Sequence, residues 1–294
     1  MLRLVLPKGS LERATLELFA AADLAVTRSS DVDYRGSIAD PRVSEVRILR
    51  PQEIPEYVAE GLFDLGITGR DWIEERGSEV VSLGELAYSK ATSEPVRVVL
   101  AVPADAPYDT LEDLRKHPSP LRVSTEYPQL TARALAAIGV EADVSLSYGA
   151  TEAKVPDIAD CVVEITETGR ALRAAGLRVV GTLLVSRTEL IANPVSAADP
   201  ERRHAMEQIL TLLQGTLEAR EKVLVKMNVP ADRLEEVVAA LPALRAPTVS
   251  ALSGTEGFAV ETVVPKAVIN TLIPALKDQG ATDILELALS KIVH

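Results

Sequence analysis

An apolar run at residues 158–165, together with the turn after it, constrains the fold of this 294-residue chain more than any other feature. The run carries two acids, Asp160 and Glu164, and contains neither glycine nor proline. This pattern is typical of a strand or short helix whose acidic side chains emerge at an edge. The chain then turns at residues 166–169 and continues into helix-forming residues at 170–175.

The turn at residues 166–169 reads Thr-Glu-Thr-Gly and is rich in hydroxyl groups. A turn of this kind that opens a helix presents free backbone N–H groups and the positive end of the helix dipole, which favours phosphate binding. The alternative is an ordinary helix start, with Thr168 as its N-cap and Gly169 easing the turn. Taken alone, these residues favour the cap, because isolated glycine-turn motifs often have no function.

Strands and helices alternate along the first two thirds of the chain. A strand at 2–6, a turn containing Lys8 and a helix at 11–22 capped by Ser10 form the first α/β unit. Residues 28–43 read as a loop or an irregular hairpin, and Asp71 reads as a helix cap. Later elements are predicted as strands at 46–49, 63–69, 96–102, 121–124, 143–146, 177–185 and 187–192, and helices at 52–61, 72–76, 108–116, 129–138 and 200–223. Two such series separated by a return crossing predict a two-lobed α/β core with a cleft between mainly parallel sheets.

The last third of the chain changes its pattern. Predicted elements run strand 223–229, helix 231–240, strands 248–252 and 258–264, helix 266–279 and strand 283–289. This β-α-β-β-α-β order is that of a ferredoxin-like module. Because it carries no obvious catalytic cluster, we expect it to serve regulation or assembly.

Composition excludes several classes of protein. A net charge of −12 opposes general binding to nucleic acid or anionic membranes. No apolar stretch reaches the ~18 residues that span a bilayer, and the N-terminus lacks the pattern of a signal peptide. The single cysteine, Cys161, fits a reducing cytoplasm and reads as a small core residue. Three isolated histidines give no zinc-type spacing.

Eight stretches in a fixed order carry a resemblance to a known family. They read LPKGSL at 6–11, ILRPQEIP at 48–55, FDLGITGRDW at 63–72, RVSTEYP at 122–128, GATEAKVPDIADCVVEITETGRAL at 149–172, VLVKMNVP at 223–230, LPALRAPTVS at 241–250 and LIPALKDQGATDILEL at 272–287. The chain resembles the ATP phosphoribosyltransferases of histidine biosynthesis, in the long form with a C-terminal ACT-like regulatory domain. The resemblance implies a two-lobed core like that of periplasmic binding proteins, with lobe I at 1–91 and 183–220, lobe II at 92–182 and the ACT-like domain at 221–294.

The resemblance also implies the reaction and the site. The 5-phosphoribosyl group of phosphoribosyl pyrophosphate moves to N1 of ATP, with Mg²⁺, and pyrophosphate leaves. The loop for the 5′-phosphate of the donor is formed by Thr166, Glu167, Thr168, Gly169, Arg170, Ala171 and Leu172. Asp160 and Glu164 match acids that face ribose hydroxyls or Mg²⁺, and Lys8 completes the expected catalytic set. The expected cleft lining consists of Arg50, Asp64, Gly66, Thr68, Gly69, Arg122, Thr125, Glu126 and Tyr127.

Two positions depart from the family pattern. Ser10 stands where many members have arginine, and Ala171 stands where threonine is common.

The expectations about regulation rest on similarity to the family alone. Histidine is the expected feedback inhibitor, and the residues expected to bind it are Asn228, Leu244, Ala246 and Thr248. A cytoplasmic homo-oligomer, from dimer to hexamer, is the assembly that the family implies.

Two other functions remain open on the sequence. A prephenate dehydratase also joins a two-lobed core to an ACT-type domain, but it would need neither Lys8 nor the loop at 166–172. A ligand-sensing or solute-binding module could use the same core without catalysis. The lack of a signal peptide pattern and of a DNA-binding helix pair speaks against this second alternative.

Overall fold

A computed structural model of the chain describes residues 1–30, 32–88, 95–242 and 246–294. The chain divides into two compact units, Met1–Leu210 and Thr211–His294. The strands of the first unit are β1 (Leu2–Pro7), β2 (Val26–Thr27), β3 (Arg35–Ile38), β4 (Val43–Leu49), β5 (Leu65–Gly69), β6 (Val81–Leu86), β7 (Val96–Pro103), β8 (Leu121–Thr125), β9 (Ala142–Leu146), β10 (Cys161–Thr166), β11 (Leu177–Ser186) and β12 (Thr188–Ala192).

The helices of this part of the chain are mostly short. They are α1 (Glu12–Ala21), α2 (Ile54–Ala59), α3 (Arg70–Arg76), α4 (Pro128–Ala137), α5 (Arg170–Ala174), α6 (Pro194–Ala198) and α7 (Pro200–Ala219). Single 3₁₀ turns lie at Gly9–Leu11, Glu112–Lys116 and Thr151–Lys154. Helix α7 begins before the boundary between the units and ends after it.

In its described residues, the first unit contains two sheets, which form its two lobes. The first sheet has the order β2-β3-β4-β1-β5-β12-β6, with β1 parallel to both β4 and β5. The second has the order β11-β7-β10-β8-β9, with β8 parallel to both β9 and β10. The chain returns from the second sheet to the first between Ser186 and Thr188. This arrangement confirms the predicted two-lobed α/β core.

As far as the structure describes it, the second unit is a four-stranded antiparallel sheet with helices. Its strands are β13 (Lys222–Pro230), β14 (Thr248–Ala251), β15 (Gly257–Pro265) and β16 (Thr282–Ala288), in the order β14-β15-β13-β16. Its helices are α8 (Leu234–Ala240) and α9 (Ile269–Asp278), with 3₁₀ turns at Ala231–Arg233 and Lys266–Val268. The β-α-β-β-α-β order confirms the predicted ferredoxin-like module.

Mostly aliphatic side chains, together with Tyr127 and one thiol, form the core of the second sheet. Val98, Leu100, Val123 and Val163 pack together and are almost fully buried. Cys161 lies in the same cluster, and burial raises the pKa of its thiol. A thiol in this environment is a core residue, as predicted, rather than a nucleophile.

Several local predictions are wrong, because α1 and α3 do not begin where the capping pattern places them and because some short elements have no clear local signal. Ser10 lies inside a 3₁₀ turn and caps no helix, since α1 begins at Glu12. Helix α3 begins at Arg70, one residue before Asp71, so this acid is not its cap. The helix predicted at 108–116 is only a 3₁₀ turn. Residues 28–43 include β3, which pairs antiparallel with β2 and β4, so the irregular hairpin is the alternative that the structure shows. Strand β6 is missing from the predicted elements.

Candidate active site

The carboxyl ends of the parallel strands in both sheets carry the polar residues that line the cleft of the first unit. Lys8 and Arg50 follow β1 and β4, and Gly69 ends β5. On the second sheet, Glu126 follows β8, and the turn at 166–169 follows β10. Ligands of open α/β sheets bind at such carboxyl ends. The chain therefore presents two sets of binding loops toward one another.

Two adjoining cavities open into this cleft. The first has a volume of about 330 Å³ and is lined from both sheets, with Asp71, Thr166 and Glu167 among its walls. The second has a volume of about 510 Å³, and its walls include Arg50, Arg76 and Tyr148. The residues that line both cavities are Gln52, Trp72 and Glu126.

The turn after β10 is closed by its own hydroxyl group. The backbone N–H of Gly169 donates to Thr166 Oγ1 at 2.7 Å, and Gly169 has a φ of +70°. Gly169 is also the N-cap of α5 and no side chain caps that helix, so the Thr168 cap of the alternative interpretation is wrong. Leu172 is buried and anchors α5, whereas Ala171 is exposed. The N–H groups of the first turn of α5 have no partner within the helix.

The two predicted cations of the first sheet differ in their surroundings. The backbone N–H of Lys8 donates to Leu49 O at 2.6 Å, which fixes the end of β1 against β4. The ammonium group of Lys8 lies 3.9 Å from the ring centroid of Tyr34, a cation–π contact. Arg50 is exposed at the mouth of the second cavity.

Glu164 lies beside the turn, but Asp160 does not. Glu164 is half-buried in β10, and burial raises the pKa of its carboxyl group. Asp160 precedes β10, so four residues of extended chain, about 13 Å, separate the two acids. Arg122 binds Asp160 at 2.6 Å and lowers the pKa of that carboxyl group. The structure therefore holds Asp160 and Arg122 together at the amino ends of their strands, away from the turn.

Asp64 also lies at the amino end of its strand. Its carboxylate is buried and accepts hydrogen bonds from Arg3 Nε at 3.1 Å, Ser196 Oγ at 2.7 Å and Arg202 Nη1 at 3.0 Å. Although burial itself raises its pKa, the hydrogen bonds from Arg3 and Ser196 lower it to about 2. Asp64 thus joins β1, β5 and the region of α6 and lines neither cavity.

Three other predicted cleft residues lie within the strands. A Cβ atom on Gly66 would come within 3.0 Å of Val58 and Ile54, so this glycine permits close packing of α2. Thr68 is buried and donates to Pro51 O at 2.9 Å. Thr125 accepts a hydrogen bond from the Tyr127 N–H at 2.9 Å. Gly69 and Glu126, by contrast, line the first cavity.

Asp71 joins the two lobes, a role that the sequence did not reveal. Its carboxylate accepts from Tyr127 Oη at 2.8 Å and from Ser186 Oγ at 2.6 Å. Burial raises the pKa of Asp71 and the pKa of Tyr127. The hydroxyl of Tyr127 is therefore engaged with Asp71, and its ring lies 4.5 Å from that of Trp72. An acid in the first turn of a helix resembles an ordinary cap, so no local signal distinguishes this contact.

A second carboxylate of α3 reaches the other lobe. Glu75 is buried and accepts the backbone N–H groups of Gln129 at 3.1 Å and Leu130 at 2.8 Å. These groups open α4, where no residue of the same helix can accept them. Helix α3 of the first sheet thus caps helix α4 of the second.

Comparisons with known proteins agree with this architecture. The family model described as ATP phosphoribosyltransferase matches residues 50–215, and that of the C-terminal domain of HisG matches residues 219–291. The chain is 45% identical to the ATP phosphoribosyltransferase of Pelotomaculum thermopropionicum over 99% of both chains. It is 46% identical to that of Chlorobium luteolum, over 100% of this chain and 98% of the relative.

The chain belongs to the ATP phosphoribosyltransferase family. It catalyses the transfer of the phosphoribosyl group to ATP that begins histidine biosynthesis. A solved complex described as ATP phosphoribosyl transferase (HisG:HisZ) from Thermotoga maritima aligns with a TM-score of 0.62 and 25% identity. That alignment covers 74% of this chain and 99% of the Thermotoga chain. The family assignment replaces the dehydratase and ligand-sensing alternatives.

The residues of this ATP phosphoribosyltransferase do not fit a dedicated Mg²⁺ cage. Within the described ranges, no three His, Cys, Asp or Glu side chains are grouped so that they could hold a metal ion. Asp160 and Glu164, the predicted pair, lie at opposite ends of β10 and cannot share one ion.

Among the residues that the structure describes, no helix is long and apolar enough to cross a membrane.

The described residues among those predicted to bind histidine do not all line one cavity of the second unit. Asn228 donates from Nδ2 to Asp283 Oδ2 at 2.8 Å. Ala246 and Thr248 line a cavity of about 390 Å³, whose walls also include Lys222 and His294. Leu244 lies outside the described residues.

Proposed function

We propose that the cleft of the first unit binds phosphoribosyl pyrophosphate at the turn 166–172 and ATP beside it. The observation that carries this proposal is the turn itself, closed by the bond from the Gly169 N–H to Thr166 at the wall of the first cavity. Its backbone N–H groups and the start of α5 suit the 5′-phosphate of the donor. Glu164 would face the ribose hydroxyl groups from β10, and Glu126 lines both cavities.

Lys8 and Arg50 supply positive charge from the opposite sheet. Displacement at ribose C1 separates pyrophosphate from a carbon that carries positive charge, so the site needs to position two polyanions and stabilise the leaving group. The contact with the Tyr34 ring holds the Lys8 ammonium near the end of β1. Mg²⁺ would enter bound to substrate phosphates, because the described residues form no cage for it.

The proposed catalytic set is narrower than the sequence expectation. Lys8, Glu164 and the turn remain in it, together with Arg50, Gly69 and Glu126. Asp64, Gly66, Thr68, Arg122, Thr125 and Asp160 would act by holding the strands in place, since their side chains or backbones are used in packing and internal hydrogen bonds. Tyr127 would act through Asp71.

The test is release of pyrophosphate from ATP and phosphoribosyl pyrophosphate. Lys8→Ala is expected to lower kcat/KM at least ~10-fold, about 1.4 kcal/mol. Lys116→Ala is the matched control, because Lys116 is an exposed lysine that pairs with Asp113 in the 3₁₀ turn at Glu112–Lys116 and does not follow a parallel strand. Equal activity of the two variants would contradict the assignment of Lys8 to the cleft.

The second unit is proposed to bind histidine as a feedback inhibitor and to join subunits of a cytoplasmic homo-oligomer, from dimer to hexamer. Support comes from its open sheet face, where Leu285 and Leu287 are 56% and 41% exposed. Exposed aliphatic residues on a sheet are typical of association surfaces. Sedimentation of the full chain with and without histidine measures the assembly, and a monomer at all concentrations would contradict it.

A further inference from the structure

Gln52 occupies a distinctive position in the cleft. It is one of the residues that line both cavities, together with Trp72 and Glu126. Its side-chain oxygen Oε1 is buried and has no hydrogen-bond partner in the described part of the chain. A buried amide oxygen without a donor has lost its hydrogen bonds to water without replacement, so such an atom calls for an explanation.

The backbone around Gln52 is fixed from two directions. Thr68 Oγ1 donates to the carbonyl of Pro51 at 2.9 Å, and Arg76 Nε donates to the carbonyl of Gln52 at 2.9 Å. The second bond comes from α3, the helix that also contacts the other lobe. Gln52 is therefore held in place by two backbone bonds that leave its Oε1 without a donor among the described residues. A fixed backbone and an unpaired side-chain oxygen are expected of a residue that is preorganised to bind a ligand.

We propose that Gln52 reads the adenine of ATP through its N6 and N7 edge. An amide side chain can accept from the N6 amino group through Oε1 and donate to N7 through Nε2. The N6 amino group of adenine would thus supply the hydrogen-bond donor that Gln52 Oε1 lacks. Trp72, beside Gln52 at the junction of the cavities, offers an aromatic face for the base. This inference rests on the proposed function of the cleft.

The chemistry of the reaction explains why the enzyme would bind adenine by its N6 and N7 edge. A base held by N6 and N7 leaves N1 free, and N1 is the atom that attacks ribose C1. As the N1–C1 bond forms, the C1–O bond breaks and its electron pair leaves with pyrophosphate. The adenine then carries a positive charge spread over N1, C6 and N6. Its N6–H becomes a stronger donor, so the bond to Gln52 Oε1 tightens in the transition state.

The cavities accommodate the rest of both substrates in this orientation. The first cavity is lined by Thr166 and Glu167 of the phosphate turn, where the ribosyl donor would lie. The second is lined by Arg50 and Arg76, whose guanidinium groups can bind the phosphate oxygens of ATP. It is also lined by three carboxylates, those of Glu53, Glu75 and Glu126. The base would then lie at the junction, between the donor and its own phosphates.

The test compares ATP with 7-deaza-ATP, in which a C–H group replaces N7. The wild-type chain is expected to prefer ATP on the order of 10- to 100-fold in kcat/KM. Gln52→Leu should remove this preference, and Gln52→Glu should reverse it, because a carboxylate repels the N7 lone pair. Gln279→Leu is the matched control, since Gln279 Oε1 is also buried without a described partner but lies in the second unit.

The possible outcomes test the role of Gln52 separately from the proposed function of the cleft. A wild-type chain that releases no pyrophosphate from ATP and phosphoribosyl pyrophosphate would contradict the proposed function itself. A chain that does so but uses 7-deaza-ATP equally well, or keeps its preference in Gln52→Leu, would overturn the role of Gln52. If the variants are too slow to assay, equilibrium dialysis of the two nucleotides measures the ground-state part of the preference as a ratio of Kd values, and an equal ratio in wild type and Gln52→Leu would overturn the role of Gln52.

Discussion

Gly169 shows how one residue can fix the geometry of the phosphate turn. Its φ of +70° is left-handed, and a Cβ atom there would lie 3.0 Å from Arg173 Nη1. We expect Gly169→Ala to raise KM for phosphoribosyl pyrophosphate about 10-fold, because the turn must shift to relieve strain of about 1–2 kcal/mol. Steady-state kinetics with the donor as varied substrate measures this.

A matched glycine separates strain from function. Gly176 follows the same helix and has a φ of +74°, and a Cβ atom there would meet no other atom within 4 Å. Gly176→Ala should destabilise the fold by a similar amount and leave KM unchanged. A similar rise in KM for both variants would show that the effect is general strain and would remove the turn from the site.

The contribution of Asp64 to the free energy of unfolding depends on pH. Its pKa is about 2 in the folded chain and about 3.9 in an unfolded one, so its ionised form contributes about 2–3 kcal/mol of stability above pH 4. That contribution is lost as pH falls through the folded pKa. Asp64→Asn should therefore lower the free energy of unfolding by about this amount at pH 7, and the difference should shrink below pH 4.

Denaturant titrations between pH 3 and pH 8 measure this difference. Asp143→Asn is the control, because Asp143 is exposed in β9 and should show no comparable loss. A difference for Asp64→Asn that instead changed near pH 6 would mean that another group is responsible.

At the scale of elements, α3 connects the two sheets. Glu75 accepts the N–H groups of Gln129 and Leu130, which α4 cannot satisfy by itself. Glu75→Ala should lower the free energy of unfolding by about 1–2 kcal/mol, as the loss of a helix cap does. Hydrogen exchange at the amides of residues 129 and 130 should accelerate. Glu79→Ala, an exposed acid shortly after the same helix, should leave both amides protected.

The sequence predicts elements well where local pattern and tertiary contact agree. The apolar strands at 96–102 and 121–124 and the helix at 129–138 were predicted within a few residues of β7, β8 and α4. The cap at Asp71 was wrong, because a carboxylate in a first turn fits a local cap and a distant contact equally well. The cap at Ser10 was wrong because α1 begins at Glu12, after a 3₁₀ turn. Only the fold brings Asp71 to Tyr127, 56 residues away.

The candidate site was predictable to a similar degree. Residues at the carboxyl ends of strands, such as Lys8, Glu126 and the turn after β10, follow from alternation of strands and helices. Asp64 and Asp160 lie within the same family motifs, but they precede their strands and so point to the opposite edge of the sheet. Gln52 carries no local signal, because an unsatisfied amide oxygen exists only in the folded chain.

At the scale of the whole molecule, the two units have separate tasks under our proposal. The residues proposed for catalysis all lie in Met1–Leu210, and the ferredoxin-like module occupies Lys222–Ala288. A chain that ends at Glu221 keeps the cleft but lacks the module. We expect it to release pyrophosphate and to be insensitive to histidine, whereas the full chain is inhibited.

A point variant tests the same division without truncation. Asn228 lies in β13 and bonds to Asp283, so Asn228→Ala changes the module but not the cleft. Activity without histidine should be unchanged, and the histidine concentration for half-inhibition should rise about 10-fold, the effect of losing a bond worth ~1.4 kcal/mol. Pyrophosphate release across a histidine series measures both. Undiminished inhibition in the chain ending at Glu221 would place the histidine site outside the module, because no part of the ferredoxin-like sheet would remain to bind it.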